Sequence, residues 1–204
     1  MDGTLVDHFG TIFRCYEYAA KALGKSPPTY DEVKRAVGGS MPVTIKAFFE
    51  EESLEAAKAH WIKRFDEIHL EGVHVLDGAR ELIRELKNRG FRLAVFTNKN
   101  GKHTRNIIHS LGLREAFSLI LGAGDTEFRK PQPELSSYAL NQLGCMPDEA
   151  LLIGDSPFDI ESAKCVGMRS YCVATGSHSR EELADANADA VFDGLPELID
   201  SVFA

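Results

Sequence analysis

From Val73 to Val202 the chain alternates short apolar runs with stretches of helical spacing, and few folds accept such an alternation. The apolar runs are Phe91–Thr97, Ser118–Leu121, Ala150–Ile153, Arg169–Ala174 and Ala190–Phe192. Between them, apolar residues recur at helical spacing: Leu82, Ile83 and Leu86, then Ile107, Ile108 and Leu111, then the segments 134–143, 158–166, 179–186 and 195–202. Gly90, Gly112, Gly144 and Gly167 each stand where one of these helices should stop. The strands are apolar on both faces, and such strands need helices on both sides. The expectation is an α/β protein with a Rossmann-like, three-layer core around a parallel sheet.

Residues 11–72 read differently. Ile12, Cys15, Tyr16, Ala19, Ala20 and Leu23 fall on one helical face, with Gly24 to end it. Ser26-Pro27-Pro28 breaks the chain, 31–37 is a short helix stopped by Gly38-Gly39, and Pro42 opens a third carrying Ile45, Phe48 and Phe49. Leu54, Ala57, Trp61, Phe65 and Ile68 share a face of a fourth. The expected organisation is a core domain of residues 1–10 and 73–204, interrupted by a four-helix cap domain of residues 11–72. Trp61 and Phe65 are expected to form the cap's own core.

Composition excludes several functions. A formal net charge of −8 argues against a nucleic-acid partner, since neutralising phosphates needs a basic stripe. A small phosphorylated metabolite is still compatible, because a few local cations and a metal hold one against a negative background. No apolar run is long enough to span a membrane, no signal peptide opens the chain, and the four cysteines form no Cys-x-x-Cys pair. The expectation is a cytoplasmic protein with buried reduced thiols and no membrane partner, a monomer or weak homodimer.

Ligands of open parallel sheets bind outside the carboxyl ends of the strands, so polar residues just past each apolar run are the candidates. These are Thr97, Asn98 and Lys99, then Asp155, Ser156 and Asp159, joined by Asp2 and Thr4 of the opening turn and by Arg129-Lys130-Pro131-Gln132-Pro133. Carboxylates at Asp2, Asp155 and Asp159 suit a hard cation such as Mg²⁺. A hydroxyl and amides at Thr97-Asn98, at a helix start, suit phosphate oxygens. Lys130 suits charge on a transferring group. Singly, each has a plainer reading: Thr97 or Asp155 as a helix cap, Asp159 as an exposed neighbour, Lys130 as a surface lysine. Their shared position at strand ends favours a phosphoryl-transfer site.

The motifs Met1-Asp2-Gly3-Thr4-Leu5-Val6-Asp7, Val95-Phe96-Thr97-Asn98-Lys99, Arg129-Lys130-Pro131-Gln132-Pro133 and Gly154-Asp155-Ser156-Pro157-Phe158-Asp159 resemble, in order and spacing, those of the haloacid-dehalogenase superfamily. The similarity is to its phosphoglycolate-phosphatase-like branch with a helical cap. It implies an Mg²⁺-dependent phosphatase acting through an aspartyl-phosphate on a small phosphorylated metabolite. By the same resemblance, Asp2 is the acid/base, its carbonyl touching the metal, and Gly3-Thr4 is the turn into the cap. Thr97 and Asn98 bind phosphate, and Lys130 steadies nucleophile and phosphate. Asp155 holds the metal, with Asp159 beside it, directly or through water. The loop Gly38-Gly39-Ser40, through Gly39, is expected to face the substrate, although a turn needing positive φ explains it equally.

The sequence departs from the family pattern at its start. The nucleophilic Asp of the family stands two residues before the acid/base, which would place it upstream of Met1, on a first strand between Phe91–Thr97 and Ala150–Ile153. A complete chain is therefore expected to carry both. The alternatives are a catalytically inactive phosphate- and metal-binding protein or a sugar phosphomutase. A dehalogenase has no need of Asp2, and no cap lysine among Lys21, Lys25 and Lys46 is singled out for phosphonate hydrolysis. Lys99, Lys102 and Arg105 follow the phosphate motif, where they would lend it positive potential, but a solvated helix face is the plainer reading; His103 and His109 are read as surface residues without a role.

Overall fold

The computed structural model describes residues 1–203. After a tight opening turn come β1 (Val6–Asp7), α1 (Phe9–Ala22), α2 (Tyr30–Ala36), α3 (Met41–Thr44), α4 (Leu54–Ile68) and β2 (His74–Val75). There follow α5 (Ala79–Asn88), β3 (Ala94–Asn100), α6 (Gly101–Ser110), β4 (Leu119–Ala123) and α7 (Pro133–Leu143). The chain closes with β5 (Leu151–Gly154), α8 (Pro157–Lys164), β6 (Arg169–Val173), α9 (Arg180–Asp185), β7 (Ala190–Phe192) and α10 (Leu195–Val202). The alternation is that of an α/β protein.

Helices α1 to α4 enclose a cluster of their own, in which Tyr16, Ile45, Ala57, Trp61 and Phe65 are buried. The Trp61 and Phe65 rings stack with centroids 4.8 Å apart. Helix α1 starts at Phe9, whose N–H donates to the Asp7 carboxylate at 3.1 Å. The third expected helix is only partly formed. It runs four residues and tightens into a 3₁₀ turn over Ile45–Ala47, with the Phe48 and Phe49 amides both donating to the Ile45 carbonyl. The β-branched run Val43-Thr44-Ile45 explains this, because such side chains lose rotamer freedom in a helix.

The strands do not form one sheet. β3 pairs in parallel with β4, and β5 with β6 and β7, also in parallel. β3 and β5 are not paired to each other. A cavity of about 520 Å³ lies between them, lined by Ala94–Phe96 on one side and Leu151–Ile153 on the other. Met1 and Leu5 border the same cavity. Separately, β1 and β2 form a short antiparallel ribbon, Val6 opposite Val75 and Asp7 opposite His74, where the chain leaves and re-enters the α/β part.

Two boundaries differ from expectation for identifiable reasons. β3 begins at Ala94 because Gly90, at φ +82°, turns the chain and the Phe91 amide donates to Leu86, closing α5; Phe91 itself is exposed. It continues past Thr97 because Asn98, Lys99 and Asn100 stay extended, Asn100 opposite Ala123. Polar residues at a strand's carboxyl end do not lengthen an apolar run, so the sequence pattern stops short. Among the described residues no helix is long and apolar enough to cross a membrane. The cysteines are all free, but only Cys15 and Cys172 are buried, whereas Cys165 is exposed on α8's end.

Candidate active site

The opening turn is built on one acceptor: the Met1 carbonyl receives the amides of Thr4, Leu5 and Val6 at 3.2, 2.8 and 3.1 Å. Gly3, at φ +79°, makes the turn possible, and a Cβ there would collide with the Asp155 carboxylate. Thr4 donates its hydroxyl to Asp155 Oδ1 at 2.7 Å, joining the first and fourth motifs across the molecule.

Asp155 is not a helix cap. Ser156 occupies that position on α8, and Asp159 completes the capping box, its Oδ2 accepting from Ser156 Oγ at 2.7 Å and from the Ser156 amide at 3.2 Å. Asp159 is buried, not exposed, and its Oδ1 accepts from Lys130 Nζ at 2.7 Å. Lys130 is likewise no surface lysine; its side chain is 5% exposed. Asn98 holds it in place: Asn98 Oδ1 accepts from the Lys130 amide at 2.9 Å, and its Nδ2 donates to the carbonyls of Lys130 and Gly38, each at 3.2 Å.

Thr97 and Asn98 do not begin a helix. Helix α6 starts at Gly101 with Asn100 as its cap, the Asn100 side chain accepting from the His103 amide. The helix-terminus argument for phosphate binding at Thr97-Asn98 therefore fails, and the Thr97 hydroxyl instead accepts from the Lys99 amide at 3.1 Å. Thr97 is nonetheless buried at the carboxyl end of β3.

Asp2 makes the contact that sequence reasoning missed. Lys99, in a strand and not on a solvated helix face, places Nζ 3.1 and 3.0 Å from the two Asp2 carboxylate oxygens. Its ammonium also lies 4.9 Å from the centroid of the Phe65 ring on α4. His8, fully buried, lies 3.8 Å from Asp2 with both ring nitrogens unpartnered. Lys99 stands among the strand-end candidates without a partner, and the only hint of His8 in the sequence is adjacency to a motif.

Three carboxylates and two lysine ammonium groups are thus buried together, with the Met1 amino group beside them. Burial would raise the Asp2 carboxyl, but Lys99 outweighs it and holds the group below its ordinary range. The same balance, with Lys130 as the cation, lowers Asp159. Asp155 has no cationic side chain of its own among the described residues. Burial, then the neighbouring Asp159 charge, push it up to about 6. A buried carboxylate with no lysine or arginine paired to it, beside a second carboxylate and a turn of backbone carbonyls, offers hard oxygen donors to a divalent cation. The residues fit Mg²⁺ on that ground. Among the described residues no group of three or more His, Cys, Asp or Glu side chains is placed to hold a metal, so backbone oxygens, substrate or water would have to complete its shell.

All seven expected residues, Asp2, Gly39, Thr97, Asn98, Lys130, Asp155 and Asp159, border one cavity of about 300 Å³. Its opposite wall comes from α1, the 37–44 loop and α4. Gly39 lies on that wall, while the positive φ in this loop belongs to its neighbour Gly38, at +133°. Tyr16 Oη and Thr44 Oγ1 are 2.8 Å apart there. His103, expected at the surface, is buried and bonds Asp66 of α4 at 2.6 Å, tying the two walls together.

Comparison with known proteins decides the family: the model of the haloacid dehalogenase-like hydrolases matches residues 1–173. The chain belongs to the haloacid dehalogenase-like hydrolases. Within this family it is 31% identical to a phosphoglycolate phosphatase of Rhodospirillum rubrum, over 98% of this chain and 87% of that protein. It is 26% identical to a phosphoglycolate phosphatase of Nitrosococcus oceani, over 97% of this chain and 92% of the relative. The fold superposes on a crystal structure described as a predicted phosphatase from Clostridium acetobutylicum with a TM-score of 0.90 at 26% identity, covering 99% of this chain and 94% of the other. Haloacid dehalogenase-like hydrolases are thus its relatives by sequence and by fold alike.

Proposed function

We propose that this chain is a phosphomonoesterase for a small phosphorylated metabolite of the phosphoglycolate type, using Mg²⁺. The observation that carries it is the pairing pattern: Lys99 pairs with Asp2, Lys130 pairs with Asp159, and Asp155 has no lysine or arginine partner beside them on one cavity. The named relatives support the substrate class.

Asp155 is the carboxylate we assign to the metal, helped by the Asp2 carbonyl, with Asp159 contributing through its remaining lone pairs or a water. When bound, Mg²⁺ offsets negative charge on the phosphoryl oxygens. Thr97 and the backbone at Asn98 hold phosphate. The Asn98 side chain, committed to Lys130 and Gly38, positions the lysine and does not bind the ligand. Lys130 stabilises the transferring group, and Asp2 donates a proton to the leaving oxygen and later takes one from water. The helical block of residues 11–72 acts as the cap, and its wall shields the reaction from bulk solvent. The nucleophile in this reading is an Asp upstream of Met1, on a strand that lies between β3 and β5.

The unpaired edges of β3 and β5 favour a second reading for the 204 residues by themselves: a phosphate- and metal-binding protein without turnover. One assay separates the two. Mg²⁺-dependent phosphate release from an aryl phosphate is measured for the 204-residue chain and for a version extended upstream. Turnover confined to the extended form supports the enzyme; inertness of both rejects it.

A further inference from the structure

The cations around the cavity occupy different ends of it. Lys130 turns to Asp159, on the side assigned to phosphate, whereas Lys99 lies against Asp2 and over Phe65 of α4. Arg129 is exposed at the mouth. The opposite wall contributes no lysine or arginine: Ile12, Tyr16, Trp61, Ile62 and Phe65 and the 37–44 loop are apolar or uncharged. A group between the phosphate position and that wall therefore meets one buried lysine, Lys99, whose ammonium it shares with Asp2.

The ammonium has capacity left. It carries three N–H donors, and the two Asp2 oxygens account for two of them. On the same wall two further donors are unsatisfied. The Trp61 indole N–H and the Ser40 hydroxyl are both buried without a hydrogen-bond partner. Trp61 stacks on the ring that Lys99 overlies, so Lys99 and Trp61 both pack against Phe65. A buried donor without an acceptor is costly, and a ligand oxygen relieves that cost. On the wall away from Asp155, three donors and an aromatic floor describe a pocket for a small carboxylate.

We propose that Lys99 is the residue that selects the leaving alcohol, admitting phosphomonoesters whose alcohol carries a carboxylate one or two carbons from the ester oxygen. The carboxylate binds the Lys99 ammonium, with Trp61 as an additional donor. An alcohol ending in a methyl group leaves those donors unmet. The inference rests on the phosphomonoesterase reading of the site, but binding alone tests it, so no turnover is needed.

The experiment is calorimetric titration of the 204-residue chain, in Mg²⁺ buffer, with inorganic phosphate, phosphoglycolate and ethyl phosphate. The two esters differ by a carboxylate against a methyl. Wild type should prefer phosphoglycolate by about tenfold or more, the scale of one charge-assisted hydrogen bond. Lys99→Met should abolish the preference, and Lys99→Arg should restore most of it. Equal affinity of wild type for both esters overturns the proposal without recourse to any variant, as does a preference that survives in Lys99→Met. Failure of inorganic phosphate to bind wild type overturns both this inference and the phosphomonoesterase reading. Phosphate binding without ester discrimination overturns this inference alone.

Discussion

Lys99 and Asp2 form a two-pronged ion pair, 3.1 and 3.0 Å from nitrogen to each oxygen, with both side chains less than a tenth exposed. Ninety-seven positions separate them in sequence, so this contact sews the opening turn onto the end of β3. Removing one member strands the other charge in a buried place, at a cost of about 3–5 kcal/mol. Lys99→Met and Asp2→Asn should each lower stability on that scale in urea unfolding. The double variant should recover part of the loss, with a coupling of about 0.5–3 kcal/mol. Strict additivity of the two losses would show that the pair is not an energetic unit.

Asp155 is the carboxylate assigned to the metal. Mg²⁺ at about a hundred times its Kd should stabilise the folded chain by about 2.7 kcal/mol, seen as a raised melting midpoint that chelator reverses. Asp155→Asn should remove that increment, and in an upstream-extended chain it should remove Mg²⁺-dependent turnover with it. Wild-type Mg²⁺ response in the variant would displace the assignment.

Gly176 sits so close to Asp155 that an added Cβ would overlap the carboxylate. Its backbone is not in the left-handed region, so the effect of Gly176→Ala is steric alone. The variant should lose about 1–3 kcal/mol from overpacking and should bind Mg²⁺ more weakly because Asp155 is displaced. A control at Gly167, where a Cβ meets nothing within 4 Å but φ is +81°, should lose stability without touching Mg²⁺ affinity.

His103 joins α6 to Asp66 on α4, beside His69 and within reach of the Lys99 charge. Burial lowers its affinity for a proton below the ordinary 6.5, despite the Asp66 bond that opposes this. The unfolded chain thus binds the proton more readily, so this stability is present above pH 6.5 and is lost as pH falls below it. His8, pushed down to about 3 by burial, contributes in the same direction. Asp155, raised to about 6, titrates in the opposite sense, so the histidine contribution is read in Asp155→Asn, whose melting midpoint should fall between pH 7 and about 5. His103→Gln should flatten part of that slope; an identical slope in the variant would exclude His103 as a source.

Much of this was readable from one-dimensional pattern. Apolar runs located β4, β5, β6 and β7 to within a residue or two, and glycines at φ between +60° and +82° closed α5, α6, α7 and α8 where expected. The residues now found on one cavity could be gathered because parallel strands deliver their carboxyl ends to one edge. What stayed hidden was long-range or very short. Lys99 meets a partner in another motif, and nothing local distinguishes it from Lys102, which is exposed. His103 was read as a surface residue because its helix has polar neighbours, yet α4 covers it. Strands β1 and β2, of two residues each, are too short to carry any periodicity.

That small ribbon has a consequence beyond geometry. Val6 pairs with Val75 and Asp7 with His74, so both crossings into the helical block occur at one point, within a single pair of hydrogen-bonded strands. The block has its own apolar centre and begins two residues past this junction, at Phe9. An insertion attached in this way is a module. Residues can be added to it or removed from it while the register of β3 through β7 is left as it was.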